Sequence, residues 1–94
     1  MRVRLSRKAQ GDVRRHIDWL VERSPNAAEK TGRAIFDALG LLAEYPFSGV
    51  SIGQNQRETT VRLGHYGFVL RYEIRPDQIL VLRLFHGAED RRRR

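Results

Sequence analysis

Residues 66–86 read YGFVLRYEIRPDQILVLRLFH, and the organisation of the whole chain follows from this stretch. Side chains over Phe68–Ile74 alternate between an apolar set and a more polar set, which is the period-two pattern of a half-buried strand. Pro76 and Asp77 predict a tight turn, because proline presets φ and aspartate can bond its own backbone. Six of the seven residues in Ile79–Phe85 are apolar, which predicts a central strand covered on both faces.

Two helices are predicted upstream of this stretch. Ser6 is a candidate N-cap, and apolar residues at helical spacing predict a helix over residues 7–22. Ser24-Pro25 predicts the start of a second helix. The serine side chain can accept from an open amide of the first turn, and proline at the first helical position lacks only an amide that would have no partner within the helix. This helix should continue to Tyr45 and stop at Pro46. We expect the two helices to form an antiparallel hairpin.

The remaining segments are shorter. Arg2–Leu5 alternates basic and apolar residues and predicts a short strand. Residues 46–56 predict a loop with two glycines, and Arg57–Leu63 predicts a strand rich in β-branched residues. Helices followed by strands indicate an α+β fold of two layers. It consists of an N-terminal strand and a helical hairpin packed on a small, mostly antiparallel sheet, completed by a three-stranded C-terminal meander.

The composition limits the class of protein. With 94 residues, we expect residues 1–94 to form a single domain. Cysteine is absent, which excludes disulfides, thiolate catalysis and zinc–thiolate sites and fits a reducing compartment. No apolar run approaches the roughly 18 residues of a membrane helix. We therefore expect a soluble cytoplasmic protein.

The net charge of +7 is concentrated at the C-terminus. Without Arg91–Arg94, fourteen basic residues face eleven acidic ones, so more than half of the excess belongs to this run. We expect residues 91–94 to form a flexible basic tail. Such a tail can steer the protein toward an acidic protein surface or toward phosphates, or it can be a solvated end without a role.

The titratable residues give little sign of a metal or cofactor site. His16, His65 and His86 fall on separate elements without the spacing of metal ligands, so we expect no metal. Asp12 stands four residues before His16, a spacing more typical of a surface pair than of a proton relay. No P-loop, nucleophile elbow or dinucleotide-binding motif is present, and we expect no cofactor.

His86 has two readings. Because histidine is the side chain that most often serves as a general acid or base, His86 could take that role in phosphodiester cleavage, with arginines of the sheet contacting the phosphate. A histidine at a strand end can equally be hydrogen-bonded for structural reasons. The two lysines, Lys8 and Lys30, fall on the helices, and no tyrosine follows Tyr72 to donate a proton to a leaving group.

At this point an ordered set of short motifs resembles the ParE branch of the RelE/ParE toxins. The set consists of Leu5-Ser6, Ala9 and Asp12, then Ser24-Pro25-Asn26-Ala27, Pro46 and Gly49, Arg57-Glu58, Phe68-Val69-Leu70-Arg71-Tyr72 and Phe85-His86-Gly87-Ala88-Glu89-Asp90. The resemblance covers nearly the whole chain. It implies the fold described above and the role of toxin in a type II toxin–antitoxin pair, causing growth arrest by poisoning DNA gyrase.

The RelE branch of the same family cleaves mRNA on the ribosome, and the residues differ from its pattern. Alignment on Gly67 and Tyr72 places Val69 where RelE-like enzymes carry an arginine, and valine cannot stabilise a phosphate. The turn that in those enzymes contains lysine and arginine here contains Glu89, which would repel phosphate. The resemblance therefore favours a toxin without chemistry of its own. A RelE-like endoribonuclease remains the alternative.

The resemblance also implies two binding surfaces. The target-facing end is expected to consist of Arg71, Arg83, His86, Asp90, Arg91, Arg92, Arg93 and Arg94. The cognate antitoxin is expected to be a DNA-binding, partly disordered protein that folds on the toxin, wraps the helical hairpin and adds to the sheet. An exposed apolar groove rimmed by Trp19 or Phe36 would mark its site in a hetero-oligomeric complex.

Overall fold

The computed structural model of the chain describes residues 1–64 and 66–87. The predictions made for His65 and for residues 88–94, among them Asp90 and the arginine run, lie outside the described residues. The elements in chain order are β1 (Arg2–Leu5), α1 (Arg7–Arg23), α2 (Pro25–Glu44), β2 (Val50–Gly53), β3 (Gln56–Leu63), β4 (Tyr66–Ile74) and β5 (Gln78–His86).

The two helices begin where the sequence predicts them. Ser6 Oγ accepts a hydrogen bond from the Ala9 amide at 3.0 Å, and Ser24 Oγ accepts one from the Ala27 amide at 3.2 Å. Each serine thereby satisfies one of the amides that a helix leaves open at its N-terminus. Pro25 occupies the first helical position of α2, as predicted.

The strands form one five-stranded sheet in the order β1-β5-β4-β3-β2. Consecutive strands from β2 to β5 pair antiparallel, whereas β1 pairs parallel with β5. The helical hairpin packs on one face of this sheet, α1 against β5 and α2 against β3. The predicted two-layer α+β architecture is therefore confirmed. Among the described residues, no helix is both long enough and apolar enough to span a bilayer.

One segment predicted as loop is a strand. Residues 46–56 contain β2, which pairs with β3 so that Val50 lies opposite Glu58. The connecting turn places Asn55 at φ 58°, a left-handed conformation that asparagine tolerates better than most residues. All four residues of β2 are exposed, so no alternation of burial marks it. The antiparallel meander thus has four strands rather than three.

The core lies between the helices and the sheet. Phe68, Leu70 and Tyr72 of β4 are almost completely buried and face the helices, which confirms the alternation predicted for this strand. Opposite them lie small and branched residues of the helices. The other buried members of this core are Ala9, Ile35, Leu42, Val61, Ile79, Val81 and Leu84.

A bulge shifts the alternation of burial along β5 by one residue. Tyr72 pairs with Val81 and Arg71 pairs with Arg83, so Leu82 is an extra residue on β5. Val81 is completely buried before the bulge and Leu84 after it, which means that the inward-facing set changes by one residue. The prediction of complete cover on both faces is wrong, because the intervening apolar residues of β5 are only half-buried.

Candidate functional site

The last residues of β5 pair with β4 along one edge and are held by α1, rather than by a strand, along the other. The pairing of β1 with β5 ends at Leu5 and Val81, which leaves the rest of this edge without a neighbouring strand. The Ser6 amide donates to the Val81 carbonyl at 2.9 Å, and the Ser6 hydroxyl donates to the Leu82 carbonyl at 2.9 Å. One and a half turns further along α1, Asp12 Oδ2 accepts from the Leu84 amide at 2.9 Å. The start of α1 therefore replaces β1 along this edge.

Asp12 is the centre of an ion-pair network. Asp12 is a buried residue, and its carboxylate accepts from Arg83 through Nε at 2.8 Å and through Nη2 at 3.2 Å. Arg15 Nη2 donates to Asp12 Oδ1 at 2.9 Å. Burial alone would raise the pKa of Asp12, but the hydrogen bonds from Arg83, the Leu84 amide and Arg15 outweigh it and hold the pKa below 3.8. The expectation that Asp12 forms a surface pair with His16 is wrong, because the carboxylate is turned toward β5.

Two of the three histidines come together beside this network. The ring centroids of His16 and His86 lie 6.0 Å apart, although the sequence places them on different elements. Phe68 meets both edge-on, with centroid distances of 5.1 Å to His16 and 5.5 Å to His86. Within residues 1–64 and 66–87, no three histidine, aspartate or glutamate side chains are grouped to hold a metal ion. The pair of imidazoles is thus packed against an aromatic ring at the end of β5.

The face of the sheet that the helices do not cover carries two paired arginines. Arg71 on β4 and Arg83 on β5 lie opposite each other, and their guanidinium carbons lie 4.9 Å and 5.2 Å from the centroid of the Phe85 ring. Arg71 donates twice to Glu58 Oε2, at 2.9 Å through Nε and 2.8 Å through Nη2, and both side chains are largely buried. Arg83 is held by Asp12, as described above.

Of the residues predicted for a target-facing end, the structure brings Arg71 and Arg83 together on the uncovered face, whereas His86 packs against His16 and Phe68 on the helix side of the sheet. The other predicted members of that end lie outside the described residues. Each of the two guanidinium groups faces a carboxylate, which reduces the positive potential that a phosphate would meet there. Val69, beside this cluster, is 4% exposed and apolar.

Sequence reasoning gave no site role to Asp12 or Glu58, the two carboxylates that organise this cluster. A signal was present for Asp12, since it falls within the buried stripe of α1, between Ala9 and Val13. A carboxylate in such a stripe is rarely buried without a partner. For Glu58, alternation along β3 places it on the same face as Arg71 once the register is known.

A second surface lies across the helical hairpin. An open groove of about 480 Å³ lies mainly along α2, with one residue of α1 at its side, and is lined by Ile17, Ala28, Glu29, Gly32, Arg33, Phe36 and Asp37. Phe36 is 75% exposed, so a large apolar side chain stands at the groove without cover. Trp19 is also exposed, but it is not part of the lining, and the Arg23 guanidinium carbon lies 3.9 Å from the centroid of its ring. The two predicted antitoxin contacts therefore belong to different places on the hairpin.

Comparison with known proteins gives consistent matches. The family model described as "ParE toxin of type II toxin-antitoxin system, parDE" matches residues 3–91. The chain is 39% identical to "Toxin RelE1" of Caulobacter vibrioides over 95% of this chain and 96% of that protein. It is 34% identical to "Toxin RelE3" of the same organism, over 95% and 97%.

A solved structure shares the fold. A chain of the "Chromosomal ParDE TA system from P. aeruginosa" superposes with a TM-score of 0.72, covering 92% of this chain and 95% of that chain. At 23% sequence identity this match concerns the fold alone. It agrees with the arrangement of two helices on a five-stranded mixed sheet.

Proposed function

The chain belongs to the ParE toxin family of type II toxin–antitoxin systems, and on that premise we propose that it arrests growth by binding DNA gyrase, without chemistry of its own. Membership of this family implies a cognate antitoxin that keeps the toxin silent. We expect both proteins to act in the cytoplasm, where gyrase and its DNA are found. The proposal concerns the target and the mode of action.

The observation that carries the proposal is the pairing of the arginines at the end of the sheet. An enzyme that cleaves RNA must stabilise charge that develops on a phosphate, and it uses cations aimed at that point. Here Arg71 is held by Glu58 and Arg83 by Asp12, in each case at 2.8 Å for the shortest contact. Val69 occupies the position at which RelE-like enzymes carry an arginine. These features support a surface that recognises a protein rather than a site that cleaves a phosphodiester.

The antitoxin has a suitable surface in the groove of the helical hairpin. Phe36 and Ile17 offer apolar contacts at this groove, and Glu29, Arg33 and Asp37 supply charges of both signs. Amphipathic helices bind grooves of this kind through apolar residues at positions i, i+3 or i+4 and i+7. A partly disordered segment that folds on the toxin would also find the outer edge of β2, whose four residues are exposed and suited to strand addition.

The alternative is a RelE-like endoribonuclease that cleaves mRNA on the ribosome. Two observations favour it: the relatives from Caulobacter vibrioides carry the name RelE, and His86, a candidate general acid or base, ends the strand that also carries Arg83. Under this alternative, cleavage of mRNA in a translation extract would depend on the toxin and would be lost in His86→Ala. Under the gyrase proposal, mRNA stays intact.

Induction of the protein alone in a bacterial host tests the proposal. A gyrase poison leaves broken DNA and induces the DNA damage response while translation continues at first. A ribosome-dependent nuclease stops translation without that response. Co-expression of the product of the open reading frame adjacent to its gene should restore growth in either case. Translation arrest without a DNA damage response would refute the gyrase proposal, and unimpaired growth would refute both.

A further inference from the structure

The end of β5 is fastened at two points before the chain leaves the sheet. At the edge that adjoins β4, the Gly87 amide donates to the Gly67 carbonyl at 2.6 Å, and a Cβ at Gly87 would lie 2.8 Å from that carbonyl oxygen. At the opposite edge, Asp12 accepts hydrogen bonds from both the Leu84 amide and the Arg83 side chain. Between these two attachments lies His86, whose ring packs against His16 and Phe68.

The contact of β5 with Asp12 lies just beyond the bulge at Leu82, and the bulge determines which face of the sheet the following side chains occupy. Successive side chains of a strand point to opposite faces, so a slip of one residue moves every side chain to the other face. With the bulge, Leu84 and His86 face the helices, and His86 meets His16 and Phe68. Without it, Arg83 would face the helices and His86 would face the open side of the sheet. The two arrangements present different surfaces at the end of β5.

The hydrogen bonds of Asp12 fit the bulged arrangement. The Leu84 amide points to the outer edge of β5, where Asp12 Oδ2 accepts its hydrogen at 2.9 Å. Neighbouring amides of a strand point in opposite directions, so the residues on either side of Leu84 cannot make this bond in the same register. The same carboxylate accepts two further hydrogen bonds from Arg83. These three bonds form together only when Leu82 is bulged out.

We propose that Asp12 and Arg83 are positioning residues, which hold the bulged register of β5 and so fix the surface at the end of this strand, with Arg83 and Phe85 on the uncovered face that meets the target and His86 packed on the helix side. This inference rests on the proposed function, since it assigns Asp12 and Arg83 the role of supporting the end of the sheet that is proposed to face the target. Asp12 acts without touching the target, because its side chain is 3% exposed. Arg83 acts through its hold on Asp12.

A double-mutant cycle on the full-length chain tests the proposal, with Asp12→Asn, Arg83→Ala and the double variant. Arg15→Ala is the matched control, because Arg15 also donates to Asp12 Oδ1 but makes no bond to β5. The readout is the concentration of purified protein that halves supercoiling by purified gyrase. Circular dichroism gives the folded fraction of each variant at the assay temperature.

We expect Asp12→Asn and Arg83→Ala each to raise this concentration by about tenfold and the double variant to be no worse than either, since coupled residues are not additive. Arg15→Ala should match the wild type, and Arg83→Lys should be more potent than Arg83→Ala. The proposal is overturned if folded Asp12→Asn matches the control, if the two losses multiply, or if the lysine variant recovers nothing. It is also overturned if potency falls only in proportion to the folded fraction.

Failure of this inference can be told apart from failure of the gyrase proposal. If the wild type does not inhibit gyrase, the same variants are compared by the growth arrest that they cause on induction, which assumes no particular target. In that assay Asp12→Asn and Arg83→Ala should permit growth while Arg15→Ala arrests it. Equal arrest by Asp12→Asn, Arg83→Ala and Arg15→Ala, at equal protein levels, would overturn the positioning role whatever the target is.

Discussion

Gly49 lies directly against the hydroxyl of Tyr72, and this contact ties the loop before β2 to the core. The Gly49 amide donates to Tyr72 Oη at 2.9 Å, and the same hydroxyl donates to the Pro46 carbonyl at 2.8 Å. Tyr72 is completely buried, so its hydroxyl needs such partners. Pro46 and Gly49 are therefore held at a set distance from the sheet by one phenol.

Gly49→Ala should destabilise the domain. A Cβ at this position would lie 2.5 Å from Tyr72 Oη and 2.8 Å from the Glu58 carbonyl oxygen, and a buried backbone cannot yield easily. We expect the free energy of unfolding in urea to fall by about 1–3 kcal/mol. Gly40→Ala is the control, because a Cβ at that exposed position of α2 meets nothing within 4 Å and should stabilise the helix by about 0.5–1 kcal/mol. Equal stability of the two variants would contradict this role for Gly49.

Two ion pairs of the sheet should differ in their contribution to stability. Glu58→Ala leaves Arg71 in largely buried surroundings without its carboxylate, and loss of one partner of a buried pair costs about 3–5 kcal/mol. Glu73→Ala removes the partner of Arg75 in a more exposed pair and should cost about 1 kcal/mol or less. Chemical denaturation of both variants measures the difference. A cost for Glu58→Ala no greater than that for Glu73→Ala would show that the Arg71 pair is not structural.

Asp12 should make stability depend on pH in the acid range. Its pKa in the folded protein lies below the ordinary value of 3.8, so the unfolded chain takes up a proton first as the pH falls. The stabilisation is therefore fully present above 3.8 and is lost as the pH falls through the folded pKa. Urea unfolding of the wild type and Asp12→Asn, from about pH 7 to about pH 2, should show a gap of about 2 kcal/mol that closes only in acid. A gap that stays constant down to the lowest pH would contradict the ion-pair assignment.

Phe36 should contribute to antitoxin binding and not to folding. The side chain is 75% exposed, so Phe36→Ala leaves the core intact and should leave the melting temperature nearly unchanged. An exposed aromatic residue that becomes buried at a complex can contribute about 2 kcal/mol or more to affinity. Leu41→Ala is the matched control, since Leu41 is exposed on the same helix but is not part of the groove. Equal affinities of the two variants for the antitoxin, measured by calorimetry, would remove the groove from the binding site.

The helices and the C-terminal hairpin were predictable because their signals are local. Ser6 and Ser24-Pro25 mark helix starts within a few residues, and the turn at Pro76 joins two strands that alternate or run apolar. β2 was missed because its exposed residues carry no pattern of burial. A strand of this kind exists only through its pairing with β3.

The candidate site was less predictable because its decisive contacts are distant in the chain. Asp12 and Arg83 are 71 residues apart, and no local sequence pattern around either residue indicates that they are in contact. The bulge at Leu82 follows from that contact and from the register of β4, so the face on which His86 lies could not be derived from alternation alone.

The supercoiling of relaxed plasmid DNA by purified gyrase, titrated with the purified toxin, tests the central claim most directly. We expect supercoiling to be lost as the toxin approaches the concentration of gyrase, while mRNA in a translation extract remains intact at the same toxin concentration. Supercoiling that continues in the presence of a clear excess of folded toxin, together with ribosome-dependent cleavage of mRNA that His86→Ala abolishes, would contradict the claim and establish the nuclease alternative.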